Sequence, residues 1–178
     1  MLARLNAGLA WICGALAALS MAGVFLIVFI NSAQRYAIGR SLPWGEQMPV
    51  FLAIYGIMFG IALAYLQDRH IRFTILTDAI PEWLRLRFFV VVDLAVIVIG
   101  AMLARSGLMM IESRGEREAS GIVTAARRLA EDTGIDAIAA LGRMAPWQFA
   151  VVVGGVLLAL AAAIKCAERI RDIRAGEA

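Results

Sequence analysis

The sequence predicts an all-α integral membrane protein: four transmembrane helices with interfacial connectors and an additional amphipathic segment between helices three and four. Composition is the first reason, because 62% of the 178 residues are hydrophobic and 17% are charged, which is too apolar for an ordinary soluble domain. Distribution is the second reason, because the charges lie in short clusters between long apolar runs, as expected where lipid excludes ions. We expect one membrane domain over residues 1–178.

Four apolar runs are long enough to cross a bilayer, since a helix needs about 20 residues at 1.5 Å rise to span about 30 Å of hydrocarbon. The predicted spans are roughly residues 9–30, 48–66, 88–111 and 147–164. Helix is expected for each, because a backbone in lipid must satisfy its own N–H and C=O groups and the runs lack the alternation of barrel strands. The first run, about 22 residues, is longer than the hydrophobic region of a signal peptide, so we predict an uncleaved span.

The connectors have the residues of membrane-interface loops. In residues 31–47, Gly39 and Pro43 are turn formers, and Tyr36 and Trp44 suit the headgroup zone. Residues 67–87 are again charged. Counting Lys and Arg by side gives nine on the side of the N-terminus and seven on the other, with Arg105 at the end of the third span. This count favours both termini in the cytoplasm.

The third connector, residues 112–145, contains the predicted amphipathic segment at about 120–141. Its apolar residues recur at helical spacing opposite its charges, which predicts a short helix with Ile122, Ala125, Ala126 and Leu129 on the apolar face. The spacing of Thr133 and Asp136 resembles a capping box and predicts a second short helix at about 134–141. Both are expected along the membrane surface or against a partner; a solvated loop helix is the alternative.

Composition and motifs argue against several kinds of chemistry. The Lys and Arg residues are spread over several polar segments, although the net charge is +3, so we expect no nucleic-acid partner. Cys13 and Cys166 lie far apart without metal-ligand or redox spacing, and are expected to be buried thiols. His70 is the one histidine, which disfavours a haem protein with two axial histidines. We therefore predict no catalytic residue, cofactor or metal site.

Two features inside the spans carry functional hypotheses. Asp93 and Arg105 are ionisable residues on the third predicted helix, about 18 Å apart at helical rise, so they cannot pair with each other. Contacts with the interface or with a partner helix are expected for both, and an ion or proton relay is the alternative. Gly56 and Gly60 form a GxxxG pattern in the second span, which suits close helix packing, either within the bundle or with another subunit.

The first connector and second span resemble the small membrane subunit, DctQ type, of tripartite ATP-independent periplasmic (TRAP) transporters. The resemblance rests on an ordered set of features followed by a span rich in small residues: Asn31, Arg35-Tyr36, Gly39, Ser41-Leu42-Pro43-Trp44, Glu46 and, after the span, His70-Ile71-Arg72. Four spans in a short chain also fit this family. Glu46 is followed here by Gln47, where members often have a second acid.

The resemblance implies a role as an accessory subunit. It implies a large TRAP membrane subunit that holds the substrate and sodium sites, a periplasmic substrate-binding protein, and the bacterial inner membrane with its lipids. Transport would be secondary active sodium symport, commonly of an organic acid, with the small subunit bracing the large one. The candidate partner-interface residues are Asn31, Arg35, Tyr36, Trp44, Glu46, Gly56, Gly60, His70, Arg72 and Asp93.

Two other functions remain open from the sequence. The chain could be an autonomous small oligomeric transporter or channel, with Asp93 or Arg105 lining its pathway. It could also be an electron-transfer membrane anchor, which would show haem absorbance. Solute flux by the chain alone would favour the first of these over an accessory role.

Overall fold

The computed structural model describes residues 2–68 and 82–175 and is built from helices. These are α1 (Leu2–Ile38), α2 (Met48–Leu66), α3 (Glu82–Arg114), α4 (Ile122–Thr133), a 3-10 helix (Asp136–Gly142) and α5 (Ala145–Ala175). Within the described ranges, β-type pairing is limited to one bridge between Glu118 and Arg143. Helices α1, α2, α3 and α5 are long and apolar enough to cross a membrane, so the prediction of a helical fold with four candidate spans is confirmed.

Three of the four long helices continue well beyond the predicted spans. The 37 residues of α1 would extend about 55 Å at helical rise, much more than the hydrocarbon thickness. An apolar run predicts only the part of a helix that lies in lipid. Polar residues outside the lipid can continue the same helix, so its ends can lie beyond the apolar run. Helix α1 ends where Gly39 adopts φ +73° and donates its N–H to the Arg35 carbonyl at 3.0 Å, a left-handed C-terminal cap. Asn31, Arg35 and Tyr36 therefore lie on α1 and not in a loop.

The four long helices pack in the order α1, α2, α5, α3. Helix α5 lies in the interior of this row. Of its most apolar 18-residue stretch, 44% of the residues are buried in the chain, whereas the corresponding fraction is 6% for α1 at the edge. The contact between α3 and α5 is very close, since a Cβ added to Gly100 would lie 2.8 Å from the backbone of α5 and one added to Gly155 would lie 2.4 Å from Ala104 N. Small residues at this contact let the two backbones approach each other.

The row has two distinct ends. At the terminal end, α1 and α3 begin and α2 and α5 finish. At the connector end lie residues 39–47 and 115–144, and the second of these segments closes on itself. Ala119 N donates to Gly142 O at 2.7 Å, and Ala145 N donates to Gly115 O at 3.0 Å. Helix α4 and the 3-10 helix lie between the paired ends of this segment.

Helix α4 differs in detail from the predicted amphipathic helix. Its buried residues are Ile122, Ala126 and Ala130, a spacing of four, whereas Leu129 is 52% exposed. The Thr133 hydroxyl does not cap the next helix but donates back to the Leu129 carbonyl at 2.6 Å. The second helix is a 3-10 helix at Asp136–Gly142. No side chain caps the start of this helix, so the spacing of Thr133 and Asp136 did not identify its first residue.

Candidate functional site

The terminal end contains a polar cluster that joins all four long helices. Its residues are Asn6 of α1, Tyr65 and Asp68 at the end of α2, Asp93 of α3, and Lys165, Glu168 and Arg169 of α5. The α5 residues are spaced three and four apart, so they lie on one face of the helix. Because that helix is interior, this face meets its neighbours on both sides.

Asp93 is the most deeply buried member of the polar cluster, with 0% exposure. Its Oδ1 accepts hydrogen bonds from the Tyr65 hydroxyl at 2.5 Å and from Nη1 of Arg169. Its Oδ2 has no hydrogen-bond partner among the described residues. The Arg169 guanidinium also lies 5.0 Å from the centre of the Phe89 ring, a distance typical of a cation–π contact. The charge of Asp93 is therefore balanced within this chain.

Asp68 links α2 to the cations of α5. It lies two residues beyond the end of α2 and adopts φ +55°, a left-handed conformation that Asp tolerates better than most residues. Its Oδ1 accepts from Arg169 Nη2 at 2.7 Å, and its Oδ2 lies 2.7 Å from Lys165 Nζ. The turn that ends α2 thus directs a carboxylate between two cations.

Glu168 extends the polar cluster to α1. Its Oε2 lies 3.1 Å from Lys165 Nζ, and its Oε1 accepts from the Asn6 amide at 3.3 Å. Three carboxylates and two cations are present, and the side chains of Lys165 and Arg169 are only 11% and 13% exposed. Charges removed from water are tolerated only when they are paired. The polar cluster can hold the helix ends together. Both of its cations, Lys165 and Arg169, already pair with carboxylates, so they are not available to bind an anionic ligand.

Sequence reasoning identified only Asp93 in this cluster. Asp93 was expected to contact the interface or a partner helix; its side chain is completely buried inside the chain, where it meets Tyr65 of α2 and Arg169 of α5. Arg105, the other intramembrane charge, is exposed. The spacing of Lys165, Glu168 and Arg169 at the end of the last apolar run was a usable signal. Lys165 and Arg169 contributed only to the count of Lys and Arg for orientation, because one sequence does not show which distant carboxylates pair with them.

At the connector end, Asn31 organises the first connector. Its Oδ1 accepts the Leu42 backbone N–H at 2.8 Å, and Gly45 N donates to Leu42 O at 3.0 Å to close a turn. Gly45 lies directly over Asn31, because an added Cβ would be 2.7 Å from Asn31 Cγ. Asn31 therefore has a partner in its own chain, and a side chain at position 45 would displace it.

Aromatic residues form a second core beneath this turn, and we call it the aromatic core. Trp147 stacks on Phe51 with 5.1 Å between ring centroids, and Trp44 packs against the same buried group. The Trp147 indole N–H donates to the Leu141 carbonyl at 3.0 Å, and the Tyr55 hydroxyl donates to the Pro146 carbonyl at 2.5 Å. Trp44, expected as an anchor in the headgroup zone and as a candidate for partner contacts, also contributes to internal packing.

The first and third connectors touch at Gly121, a contact that the sequence did not reveal. Gly121 has φ +78°, and an added Cβ would lie 2.3 Å from the Pro43 carbonyl oxygen. Only glycine combines this backbone conformation with such an approach. The two connectors therefore form one platform, which we call the connector platform.

The remaining predicted site residues fall into three groups. Arg35, Tyr36 and Glu46 are exposed on or beside the connector platform, with Tyr36 92% exposed. Gly56 faces α1, since an added Cβ would lie 2.4 Å from Met21 Cε, whereas nothing lies within 4 Å of one added to Gly60. His70 and Arg72 lie outside the described residues. Within residues 2–68 and 82–175, no group of three or more His, Cys, Asp or Glu side chains is placed to hold a metal ion.

Comparison with known proteins gives two findings. The family model for the DctQ component of tripartite ATP-independent periplasmic transporters matches residues 24–172. A protein of Haemophilus influenzae named as a TRAP transporter small permease protein is 26% identical over 96 residues, which is 54% of this chain. The aligned part spans only 58% of that relative's length. The family match includes the connector platform and most of the polar cluster.

Proposed function

Because the chain belongs to the DctQ component family of tripartite ATP-independent periplasmic transporters, we propose that it braces the large membrane subunit of such a transporter. The observation that carries this proposal is the internal pairing of the buried charges. The intramembrane carboxylate of Asp93 is held by Tyr65 and Arg169, so these groups fix the relation of the helices and do not face a solute. A subunit of this kind supplies a stable shape.

The helix row has the surfaces that a brace requires. Large apolar side chains of α1 and α3 are uncovered by the rest of the chain, among them Trp11, Leu19, Phe25, Val91 and Met102. In lipid, helices associate through close packing and polar contacts rather than through hydrophobicity alone. An edge helix locked to its neighbours by the polar cluster would present a rigid face to the large subunit.

The finer parts of the proposal follow from family membership. The large subunit would hold the solute and sodium sites, and a periplasmic binding protein would deliver an organic acid, with the sodium gradient driving secondary active transport. The protein would lie in the bacterial inner membrane, with both termini in the cytoplasm and the connector platform in the periplasm. Arg35, Tyr36 and Glu46 would then be placed for contacts with the binding protein or the large subunit. His70 and Arg72 would contact the large subunit or anionic lipid on the opposite side.

Reconstitution tests the proposal directly. Proteoliposomes containing this chain alone should show no uptake of labelled organic acids. Liposomes with the co-expressed large subunit and the binding protein should show uptake that depends on an inward sodium gradient. Flux by this chain alone would favour an autonomous transporter or channel and would contradict the accessory role.

Gly60 allows a more local test of the partner surface. Gly60→Leu adds bulk at an open position of α2, so the thermal stability of the chain should hold while co-purification of the large subunit falls. Gly56→Leu is the matched comparison, because its side chain would collide with α1 and should destabilise the chain itself. Equal co-purification of wild type and Gly60→Leu would remove Gly60 from the interface.

A further inference from the structure

A second polar feature lies in a cavity at the connector end, between α2, α3 and α5. The cavity has a volume of about 310 Å³. Its apolar wall includes Phe51, Ile54, Met110 and Val151, and its polar lining comes from Arg114, Arg117 and Gln148. The cavity thus combines an apolar interior with two cationic groups, the pattern expected for an amphiphile with a negative head.

Gln148 is the residue that marks this cavity as a binding site. It is 6% exposed, and its Oε1 has no hydrogen-bond partner among the described residues. Leaving a buried polar atom without a hydrogen bond destabilises the fold, so such an atom needs an explanation. A ligand in the cavity that carries a hydrogen-bond donor would satisfy it.

The two arginines are free to bind an anion. In the described part of the chain, neither Arg114 nor Arg117 has an ion-pair partner, whereas the nearby Arg143 pairs with Glu116 at 2.8 Å and Arg127 pairs with Glu118. Arg114 and Arg117 are three positions apart, at the end of α3 and just after it. Gln148 lies in the first turn of α5, where the helix dipole also favours negative charge.

We propose that this cavity binds an anionic phospholipid of the leaflet in which α5 begins. The phosphate oxygens accept hydrogen bonds from Arg114 and Arg117, and a hydroxyl of a glycerol headgroup donates to Gln148 Oε1. The first part of an acyl chain covers Phe51, Ile54 and Val151. A phosphatidylglycerol molecule supplies all three kinds of contact, while a soluble anion leaves the apolar wall uncovered.

This site differs from both features already described. The polar cluster lies at the opposite end of the helices, and its cations are already paired. The aromatic core is adjacent, because Trp147 stacks on Phe51 and lines the cavity as well. A bound lipid would therefore cover one side of the aromatic core and stabilise the end at which α2, α3 and α5 meet.

Native mass spectrometry of the full chain in detergent tests the assignment with phosphatidylglycerol and phosphatidylcholine of equal chain length. Phosphatidylglycerol is expected to remain bound in preference. The double variant Arg114→Gln/Arg117→Gln should weaken its binding about thirtyfold, since each arginine near a membrane surface contributes about 1 kcal/mol. Arg105→Gln is the matched control, because Arg105 is an exposed arginine on the same helix outside the cavity, and binding should stay within about twofold.

A second variant separates the lipid role from folding. Gln148→Met keeps the side-chain volume and removes the unpaired oxygen, so thermal stability without lipid should be unchanged or higher. The stabilisation gained on adding phosphatidylglycerol should fall. Equal binding of both lipids, equal loss with Arg105→Gln, or full competition by soluble glycerol phosphate would each overturn the proposal.

Discussion

Replacing Arg169 with glutamine should strongly destabilise the helix row, because it removes the cation between two carboxylates. The Arg169 side chain is 13% exposed and Asp93 is 0% exposed. Asp68 retains Lys165 at 2.7 Å, so the loss falls mainly on Asp93, which keeps the Tyr65 hydroxyl. Removing one partner of a buried ion pair costs about 3–5 kcal/mol, because the other charge stays desolvated. We expect a loss of that size in the free energy of unfolding.

Thermal unfolding in detergent, followed by tryptophan fluorescence, measures this effect. For a chain of this size, about 3–5 kcal/mol corresponds to a decrease of roughly 6–20 °C in Tm. Asp93→Asn should cost less than Arg169→Gln, about 1–3 kcal/mol. It places a neutral amide at position 93, so no unpaired carboxylate is left there, and Arg169 still pairs with Asp68. The double variant Asp93→Asn/Arg169→Gln should cost less than the sum of the single variants, since the two side chains interact.

Arg171→Gln is the control, because it lies two positions further along α5 with its side chain 63% exposed and pairs only with Asp172 among the described residues. Exposed ion pairs of this kind contribute little, so Tm should change by no more than about 2 °C. If Arg169→Gln and Arg171→Gln lower Tm equally, the polar cluster does not hold the helices together. If Asp93→Asn costs more than Arg169→Gln, the unpaired-charge reasoning is wrong.

Three further changes test the helix contacts and the connector platform by the same unfolding measurement. Gly100→Ala should cost about 1–3 kcal/mol, because its Cβ would meet the α5 backbone at 2.8 Å, whereas Gly60→Ala has open space and should be neutral or stabilising. Gly121→Ala should destabilise the chain more than Gly134→Ala. Both positions have positive φ, but only a Cβ at position 121 would also collide with the first connector. Equal losses of stability would show that backbone strain alone matters. Tyr55→Phe should cost about 0.5–1.5 kcal/mol by removing the hydroxyl that joins α2 to the start of α5, and an unchanged Tm would exclude that contribution.

The four spans could be predicted from sequence because the requirement that lipid imposes is local. Each run of about 20 apolar residues meets hydrocarbon whichever helix lies beside it, and α2 begins and ends at the predicted residues Met48 and Leu66. Helix ends were less predictable. Beyond the lipid, a single backbone conformation, such as that of Gly39, decides where α1 stops.

The candidate sites depended on the tertiary structure. A charge inside an apolar run drew attention to Asp93, the interfacial preference of tryptophan drew attention to Trp44, and the family resemblance drew attention to Asn31, but none of these signals identified a partner residue. Asp93 and Arg169 are 76 residues apart in the chain, and Gly121 meets a connector far away in sequence. Such contacts depend on which faces of which helices meet, and one sequence contains no local signal for that choice. Apolar length was enough to predict four membrane helices, because each run of about 20 apolar residues requires hydrocarbon around it. The packing of the helices was needed to show that α5 lies in the interior of the row and that Lys165 and Arg169 pair with acids inside the chain, because pairing energy depends on three-dimensional distance.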